Sequence, residues 1–349
     1  MKKSLLKFVV FESTTISRAY KKMLKNKMGI ILVCNNEYQV AGLITDGDFK
    51  RAFWSNIDQE NPIMSIGKKK NFFFIKSKRY LNQIKLLPSN INHIPIIKNK
   101  KLVDIIFNFR NKKKINNSSF KFSLFILAGG YGKRLKPITN LIPKALVTIN
   151  NKTILELILN KFKKFKINKI YLALFHKKEL IKSYLNSKGI KKIKLIEEKK
   201  RTGTAGSLSY IDHKKMNNPI IVTNCDTLLN YNYAEMIKFH LNKSNVITIV
   251  GFLLEQKINY GVCEVTNKGQ LETLIEKPKI KFLANCGFYI ISPEILKFIK
   301  KDEFLDMDTF IKKISKKGFK IGVYPIREES WIDIGTLDKY KKANKKFKQ

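Results

Sequence analysis

The sequence predicts an α/β protein: a domain built on a mostly parallel sheet with flanking helices, preceded by a small α+β module. Three observations predict it. From about residue 121 onward, short apolar runs alternate with stretches of helical periodicity, as strands do when crossover helices return them to one sheet. Upstream, two strand–turn–strand segments look alike, Gly29–Cys34 with Val40–Thr45 and Ile94–Ile97 with Leu102–Phe107. Between these regions, residues 111–121 are polar and poor in packing side chains, which reads as a linker. The expected division is 1–112 as two repeats (about 8–55 and 62–112), a linker over 113–120, and a larger domain over 121–349. A chain of 349 residues is long enough to give each part its own core.

Taken in order, the first repeat runs from its strand pair into Gly42-Leu43-Ile44-Thr45-Asp46-Gly47-Asp48. The larger domain opens on Leu124-Phe125-Ile126-Leu127, an unbroken apolar run that reads as a buried strand. Thr153–Phe165 has helical spacing, and Lys169–Leu174, Ile193–Ile196 and Pro219–Thr223 read as further strands. Val246–Tyr289 is mostly strand-like before helical pattern returns at Pro293–Lys300.

The formal net charge of +42 raises a nucleic-acid reading, since clustered Lys and Arg neutralise backbone phosphates. Only seven of the 69 basic residues are Arg, however, and the Lys are spread along the whole length among abundant Ile and Asn. That pattern matches the coding bias of an AT-rich genome, and no nucleic-acid partner is expected. Attraction for polyanionic substrates follows either way. Cys34, Cys225, Cys263 and Cys286 form no CxxC pair and read as free thiols of a reducing compartment. His93, His176, His213 and His240 show no ligand spacing. With neither a membrane-length apolar run nor a signal-peptide core, a soluble, cytoplasmic protein with no membrane partner is expected.

The most informative stretch follows the first strand of the large domain: Leu127-Ala128-Gly129-Gly130-Tyr131-Gly132-Lys133-Arg134-Leu135, then Pro143-Lys144. Glycines at three of four positions let the backbone turn sharply and approach a ligand closely. A strand entering such a loop presents successive N–H groups to an anion, and Arg134 and Lys144 add fixed positive charge. The pattern is neither GxxxxGK[ST] nor GxGxxG, and the expected guest is a nucleoside triphosphate.

The combination AGGxGxRL…PK resembles the signature of the sugar-1-phosphate nucleotidylyltransferases, which join a sugar 1-phosphate to an NTP and release pyrophosphate. The resemblance covers roughly Phe122 to the C-terminus and implies a Rossmann-like nucleotidyltransferase domain. Gly42–Asp48 resembles the end of a cystathionine-β-synthase (CBS) motif, and such motifs pack in pairs and often bind an adenine nucleotide. That resemblance implies that Thr45 contacts phosphate and Asp48 accepts from ribose hydroxyls. In the second repeat the matching positions are Phe107 and Arg110, so at most one such site survives. A pair that only mediates dimerisation or braces the second domain is the alternative.

Resemblance also implies the remaining roles. Leu127, Ala128, Gly129, Gly130 and Gly132 fall on the nucleotide loop, and Gly203 and Thr204 on the loop that lies against the base. Glu198 falls where a base-reading side chain often stands; a carboxylate there could accept from N1–H and N2–H of guanine, which tilts the nucleotide toward GTP. Gly261, Glu276 of Glu276-Lys277-Pro278, and Asn285 fall on the sugar-binding positions, with Lys277 on the sugar phosphate. Asp226, at the end of Ile220–Cys225, and Asp333, in Trp331-Ile332-Asp333-Ile334-Gly335-Thr336, fall on the two metal-binding aspartates. Magnesium is the implied ion, since it takes a few carboxylate oxygens together with phosphate oxygens and water. Alone, either Asp reads equally well as a turn former or helix cap.

The implied reaction is a single in-line displacement, with Arg134 stabilising the departing pyrophosphate and Lys144 and Lys277 holding the sugar phosphate. A CBS pair ahead of the transferase is similar to the guanylyltransferases of bacterial legionaminic-acid synthesis, which implies glucosamine 1-phosphate as substrate. Mannose or heptose 1-phosphate with GTP, or glucose 1-phosphate with UTP, CTP or dTTP, are alternatives; an adenine-nucleotide sensor is the non-enzymatic one. The chain runs only a short way past Thr336, so one reaction per chain is expected, in a homo-oligomer.

Overall fold

A computed structural model describes residues 3–26, 28–55, 57–66, 93–107, 120–266, 268–326 and 330–347. The chain divides into two compact units, Met1–Lys114 and Ile115–Gln349.

In the first unit, β1 (Val9–Phe11), α1 (Ile16–Asn26), β2 (Ile30–Cys34), β3 (Val40–Thr45) and α2 (Asp46–Trp54) follow one another. They form a sheet of order β1-β2-β3, with β1 parallel and β3 antiparallel to β2. Every residue of β2 is buried because both of its faces are covered. Ile31 and Val33 pack with Ile16, Ala19 and Met23 of α1, while Ile30, Leu32 and Cys34 meet Leu5, Phe8, Leu102 and Ile105. A separate hairpin, β4 (His93–Lys98) and β5 (Lys101–Phe107), supplies those last two side chains. The expected second repeat falls largely on 67–92 and 108–112, outside the described residues, as do Arg110 and most of the expected linker.

The second unit opens with β6 (Phe122–Leu127), α3 (Ile138–Leu141), β7 (Thr148–Ile149), β8 (Lys152–Thr153) and α4 (Ile154–Phe162). Next come β9 (Ile167–Leu174), α5 (Lys178–Ser187), β10 (Ile193–Glu197), α6 (Gly203–Gly206), β11 (Ile220–Asn224), β12 (Thr227–Leu229) and α7 (Tyr233–Asn242). The remainder is β13 (Ile247–Lys257), β14 (Val262–Val265), β15 (Leu271–Ile275), β16 (Lys279–Ile291), α8 (Met307–Lys316), β17 (Ile321–Ile326), β18 (Trp331–Asp333) and α9 (Leu337–Phe347).

Its main sheet has the order β10-β9-β6-β11-β16-β13-β17. All neighbours are parallel except that β16 runs against both β11 and β13. This is the mostly parallel sheet the alternating pattern predicts. Alternate residues of β6 feed two cores: Phe122, Leu124 and Ile126 join the layer of α4, α5 and α7, and Phe125 joins that of α8. Apolar spacing explains why these helices dock. α4 buries Ile154, Leu155, Ile158 and Phe162, and α8 buries Met307, Phe310 and Ile314. A capping box starts α4, with Glu156 N–H donating to Thr153 Oγ1 at 3.1 Å and Thr153 N–H to Glu156 Oε2 at 2.8 Å.

Chain order β6, β9, β10 builds outward on one side of β6, and β11 then returns to its other side. The order therefore reverses between β6 and β11, where an open α/β sheet leaves a crevice beyond its strand ends.

Candidate functional site

Four parallel strands deliver side chains into one cleft of about 280 Å³. Leu127, Gly129 and Gly130 follow β6, Phe175 follows β9, Glu198 follows β10, and Asn224, Cys225 and Asp226 lie at the end of β11. Gly132, Lys133, Arg134 and Lys144 complete one wall; Arg201, Gly203, Thr204 and Asp306 form another. Ala128 is buried behind the loop, its N–H donating to Ala173 O at 3.0 Å.

The cleft has two chemically different ends. At the first, Asp226 and Asp333 meet although they are far apart in sequence, because β12 and β18 pair with Thr227 opposite Asp333. Ile334 N–H then donates to Asp226 O at 3.1 Å. Gly335 closes the turn, its N–H donating to Asp333 Oδ1 at 2.7 Å, and a larger residue would push the surrounding side chains aside. A Cβ on it would lie 2.7 Å from Asp333 Oδ1, 3.3 Å from Asp226 Oδ2 and 3.5 Å from Arg134 Nη2. Both carboxylates and the Arg134 guanidinium thus surround one point. Lys144 Nζ pairs with Asp226 Oδ2 with both side chains largely buried, and Lys339 Nζ lies 2.5 Å from Asp333 Oδ2. Burial, with Asp226 beside it, pushes the Cys225 thiol up to about 12, so it stays protonated and unreactive.

These residues fit a magnesium ion. Asp226 and Asp333 carry hard oxygens, of which Asp333 Oδ1 accepts from Gly335 N–H at 2.7 Å and each Oδ2 pairs with a lysine, so a cation held there would take the place of Lys144 and Lys339. No cluster of three or more His, Cys, Asp or Glu exists among the described residues to complete a protein-only cage. Two carboxylates with the remaining positions left to phosphate and water is the arrangement magnesium favours.

At the other end, Glu198 is buried, and its Oε2 accepts from Thr202 N–H at 3.0 Å and Thr202 Oγ1–H at 2.7 Å. Oε1 makes no such bond and comes within 3.5 Å of where a Gly129 Cβ would stand. One oxygen is thus engaged by Thr202, and the other, beside Gly129, accepts no hydrogen bond among the described residues. Gly203 has φ +80° and its missing Cβ would lie 2.5 Å from Leu305 O, so only glycine lets the α6 loop seat against that strand of backbone. Thr204 is engaged on both sides: its N–H donates to Asp306 Oδ1 at 3.1 Å, and its Oγ1 accepts from Met307 N–H at 2.8 Å. Thr204 and Asp306 thus tie α6 to the start of α8.

The sugar-side residues behave differently. Gly261 and Glu276 are neighbours, with Glu276 Oε2 3.1 Å from where a Gly261 Cβ would stand, and Lys277 Nζ pairs with Glu276 Oε1 at 3.2 Å. All three are exposed and none lines the cleft. Asn285 is also outside it, donating to Tyr289 Oη at 2.7 Å and accepting from Gly287 N–H at 3.0 Å. In the first unit, Thr45 and Asp48 bond one another. Thr45 N–H and Oγ1–H both donate to Asp48 Oδ2, at 2.9 and 2.6 Å, and Arg51 Nη2 reaches Asp48 Oδ1 at 2.5 Å.

Sequence reasoning does not place Lys133, Phe175, Arg201, Asn224, Cys225, Asp306 or Gly335 at the site. Lys133, Asn224 and Gly335 sit inside motifs already singled out, and Phe175 directly follows a predicted strand. Asp306 carried no local signal; its partner Thr204 is 102 residues away in sequence. None of the helices among the described residues is long and apolar enough to cross a membrane.

Residues 124–349 match the model of the family described as nucleotidyl transferase, and residues 1–55 match that of the CBS domain. A probable mannose-1-phosphate guanylyltransferase 1 of Oryza sativa subsp. japonica is 30% identical over 226 residues, 62% of this chain and 62% of that protein. Mannose-1-phosphate guanyltransferase 2 of Candida glabrata is 30% identical over 223 residues, 60% of each chain. The chain thus spans about 60% of the length of these relatives. The solved structure of HddC from Yersinia pseudotuberculosis aligns over 65% of this chain and 99% of its own, at 26% identity and a TM-score of 0.49. With more than half of its length matched, the chain belongs to the nucleotidyl transferase family and carries a CBS domain ahead of the transferase unit.

Proposed function

We propose that the chain joins a nucleoside triphosphate to a sugar 1-phosphate, forming a nucleoside diphosphate sugar and pyrophosphate. The observation that carries this reading is the convergence of Asp226, Asp333 and Arg134 on the space beside Gly335, with Lys144 on the same wall. Such an end suits a triphosphate, because its charge needs cations, while the two carboxylates need a cation to share with it.

In the reaction, an oxygen of the sugar phosphate attacks the α-phosphorus, and the bond from that phosphorus to the β-bridging oxygen breaks in line. The attacking oxygen is already an anion near neutral pH, so no general base is required. Backbone around Gly129 and Gly130 cradles the triphosphate, Arg134 and Lys133 bear on the departing pyrophosphate, and Lys144 holds the sugar phosphate. Asp226 and Asp333 would hold magnesium, which supplies charge neutralisation at the reacting phosphates. Lys277 is proposed to meet the sugar phosphate from the hairpin side and Glu276 a sugar hydroxyl.

The nucleotide proposed is GTP, supported by the free Oε1 of Glu198 in the cleft and by relatives named as guanylyltransferases. For the sugar, those relatives' names favour mannose 1-phosphate, whereas the CBS-first domain order is what favours glucosamine 1-phosphate, toward a legionaminic-acid or other surface-glycan precursor. Pyrophosphate release with magnesium decides, crossing five NTPs with glucosamine, N-acetylglucosamine, glucose and mannose 1-phosphates. Release with GTP and one sugar is expected. Silence across the grid from folded protein, with and without adenine nucleotides, would overturn the activity and move an adenine-nucleotide sensor to the front.

A further inference from the structure

The two ends of the cleft fix which way a nucleotide lies. Lys133, Arg134 and Lys144 stand at one end, so the phosphates belong there; a carboxylate oxygen of Glu198 at the other end would repel them and suits N–H donors. The base therefore lies between Gly129 and the Gly203–Thr204 turn.

Arg201 stands at that same end. It lines the cleft, yet its guanidinium makes no hydrogen bond or ion pair among the described residues. It lies against Phe304, a residue 53% exposed, with Cζ 5.4 Å from the ring centroid. A cation–π contact of this kind steadies the guanidinium without using its N–H donors. An arginine fork with free donors matches the O6 and N7 acceptors of guanine, the commonest specific pairing between Arg and a base edge. Glu198 Oε1 then accepts from the N1 or N2 side.

Resting on the guanylyltransferase reading above, we infer that Arg201, steadied by Phe304, is a specificity-determining residue that selects guanine through O6 and N7. Adenine presents an amino donor where guanine has O6, so Arg201 disfavours it. Uracil and thymine keep a carbonyl acceptor but lack N7, so they lose half of the fork, and cytosine, with an amino group in place of that carbonyl, loses both halves. The single free oxygen of Glu198 becomes sufficient, because the second point of recognition comes from Arg201 rather than from a bidentate carboxylate.

The test is equilibrium binding of GTP, 7-deaza-GTP and ITP to the full chain, wild type and Arg201→Ala, followed by pyrophosphate release. Replacing N7 by carbon should weaken wild-type binding by about tenfold, and ITP, which lacks the 2-amino group, reports on Glu198 instead. In Arg201→Ala, GTP affinity should fall by about five- to a hundredfold. Its preference for GTP over 7-deaza-GTP should vanish while its preference for GTP over ITP persists. A merely structural role would weaken all three ligands alike. Phe304→Ala should shrink the N7 preference without abolishing it. Equal wild-type affinity for GTP and 7-deaza-GTP, or an unchanged preference in Arg201→Ala, overturns the inference. Guanine binding with Arg201-dependent N7 preference but no turnover would overturn the proposed reaction and leave the base reading standing.

Discussion

Two pairs of residues in this chain carry the pattern of a ligand site, and the structure treats them in opposite ways. Thr45 and Asp48 are three apart in sequence and satisfy each other, forming the capping box of α2 with Arg51 on the remaining oxygen. Asp226 comes from the middle of the transferase unit and Asp333 from near its C-terminal end, and a three-residue ladder brings them together beside an open cleft. A short-range pair already has a local reason to exist, because a helix start needs its N–H groups capped. Asp333 has a local bond as well, accepting from Gly335 N–H at 2.7 Å, but that turn does not explain why Asp226 stands beside it, since like charges side by side oppose folding unless cations attend them. Here Lys144 and Lys339 do so. Long-range convergence is the stronger mark of a site.

The largest effect should come from breaking that convergence. Asp226→Asn keeps the shape of the side chain and its place beside Thr227, but removes charge from the proposed phosphate end. Turnover should fall about a hundredfold or more, by analogy with losses of roughly 3–4 kcal/mol when one transition-state contact is deleted. Steady-state pyrophosphate release with matched thermal melts checks it. Near-wild-type turnover from a folded variant would remove Asp226 from the mechanism.

A third polar cluster sharpens the contrast, because it is long-range but closed. His240 is 1% exposed, with Nδ1 2.9 Å from Thr248 Oγ1 and Nε2 3.1 Å from Ser292 Oγ. Burial pushes its pKa down to about 4. An unfolded His titrates near ~6.5, so between these values the unfolded chain binds the extra proton and stability rises with pH. The contribution is complete above about pH 6.5 and is lost as pH falls toward 4, at about 2 kcal/mol by pH 5. Denaturant midpoints at pH 7.5 and 5 should separate in the wild type and draw together in His240→Gln. If both proteins show the same pH dependence, His240 is not the group responsible.

Gly335 tests the phosphate end without touching a charge. A methyl group there would crowd Asp333 Oδ1 at 2.7 Å, so the carboxylate must move or the turn must open. Gly335→Ala should cost about tenfold in turnover, since small misplacements of aligned groups are expensive, while its melting point changes little. Unchanged kinetics would mean that the space beside Gly335 is not where the reaction takes place.

Much of the transferase unit was legible because apolar periodicity and glycine placement are local signals. The runs at Leu124–Leu127, Lys169–Leu174 and Ile193–Ile196 became neighbouring parallel strands, and the residues just past their ends became the cleft. What was not legible depends on pairing between distant segments. Asp306 accepting from Thr204 N–H needs α8 to lie against α6, and the contact proposed to steady Arg201 needs Phe304 beside it, 103 residues on in sequence. The Glu198 carboxylate was visible, but that Thr202 would claim one of its oxygens was not. The motif at Glu276 and Lys277 predicts a sugar site, and the structure shows the two side chains paired with each other on an exposed hairpin.

The smallest effect belongs to the capped pair. Burial alone would raise the carboxyl of Asp48, but the hydrogen bonds from Thr45 and the Arg51 guanidinium hold it below its ordinary range. Arg51 is mostly exposed, so the cap rather than the ion pair should carry the stability. Asp48→Ala should therefore destabilise the first unit by about 1 kcal/mol, and Arg51→Ala by a few tenths. The same variants probe the proposed adenine-nucleotide site, since a bound nucleotide must compete with Thr45 for Asp48 Oδ2. If adenosine monophosphate raises the melting point of the wild type but not of Asp48→Ala, the pair serves a ligand as well as the helix. If neither protein responds while the 1 kcal/mol loss is measured, the motif at Thr45–Asp48 is a helix start, and the contrast with Asp226 and Asp333 is complete.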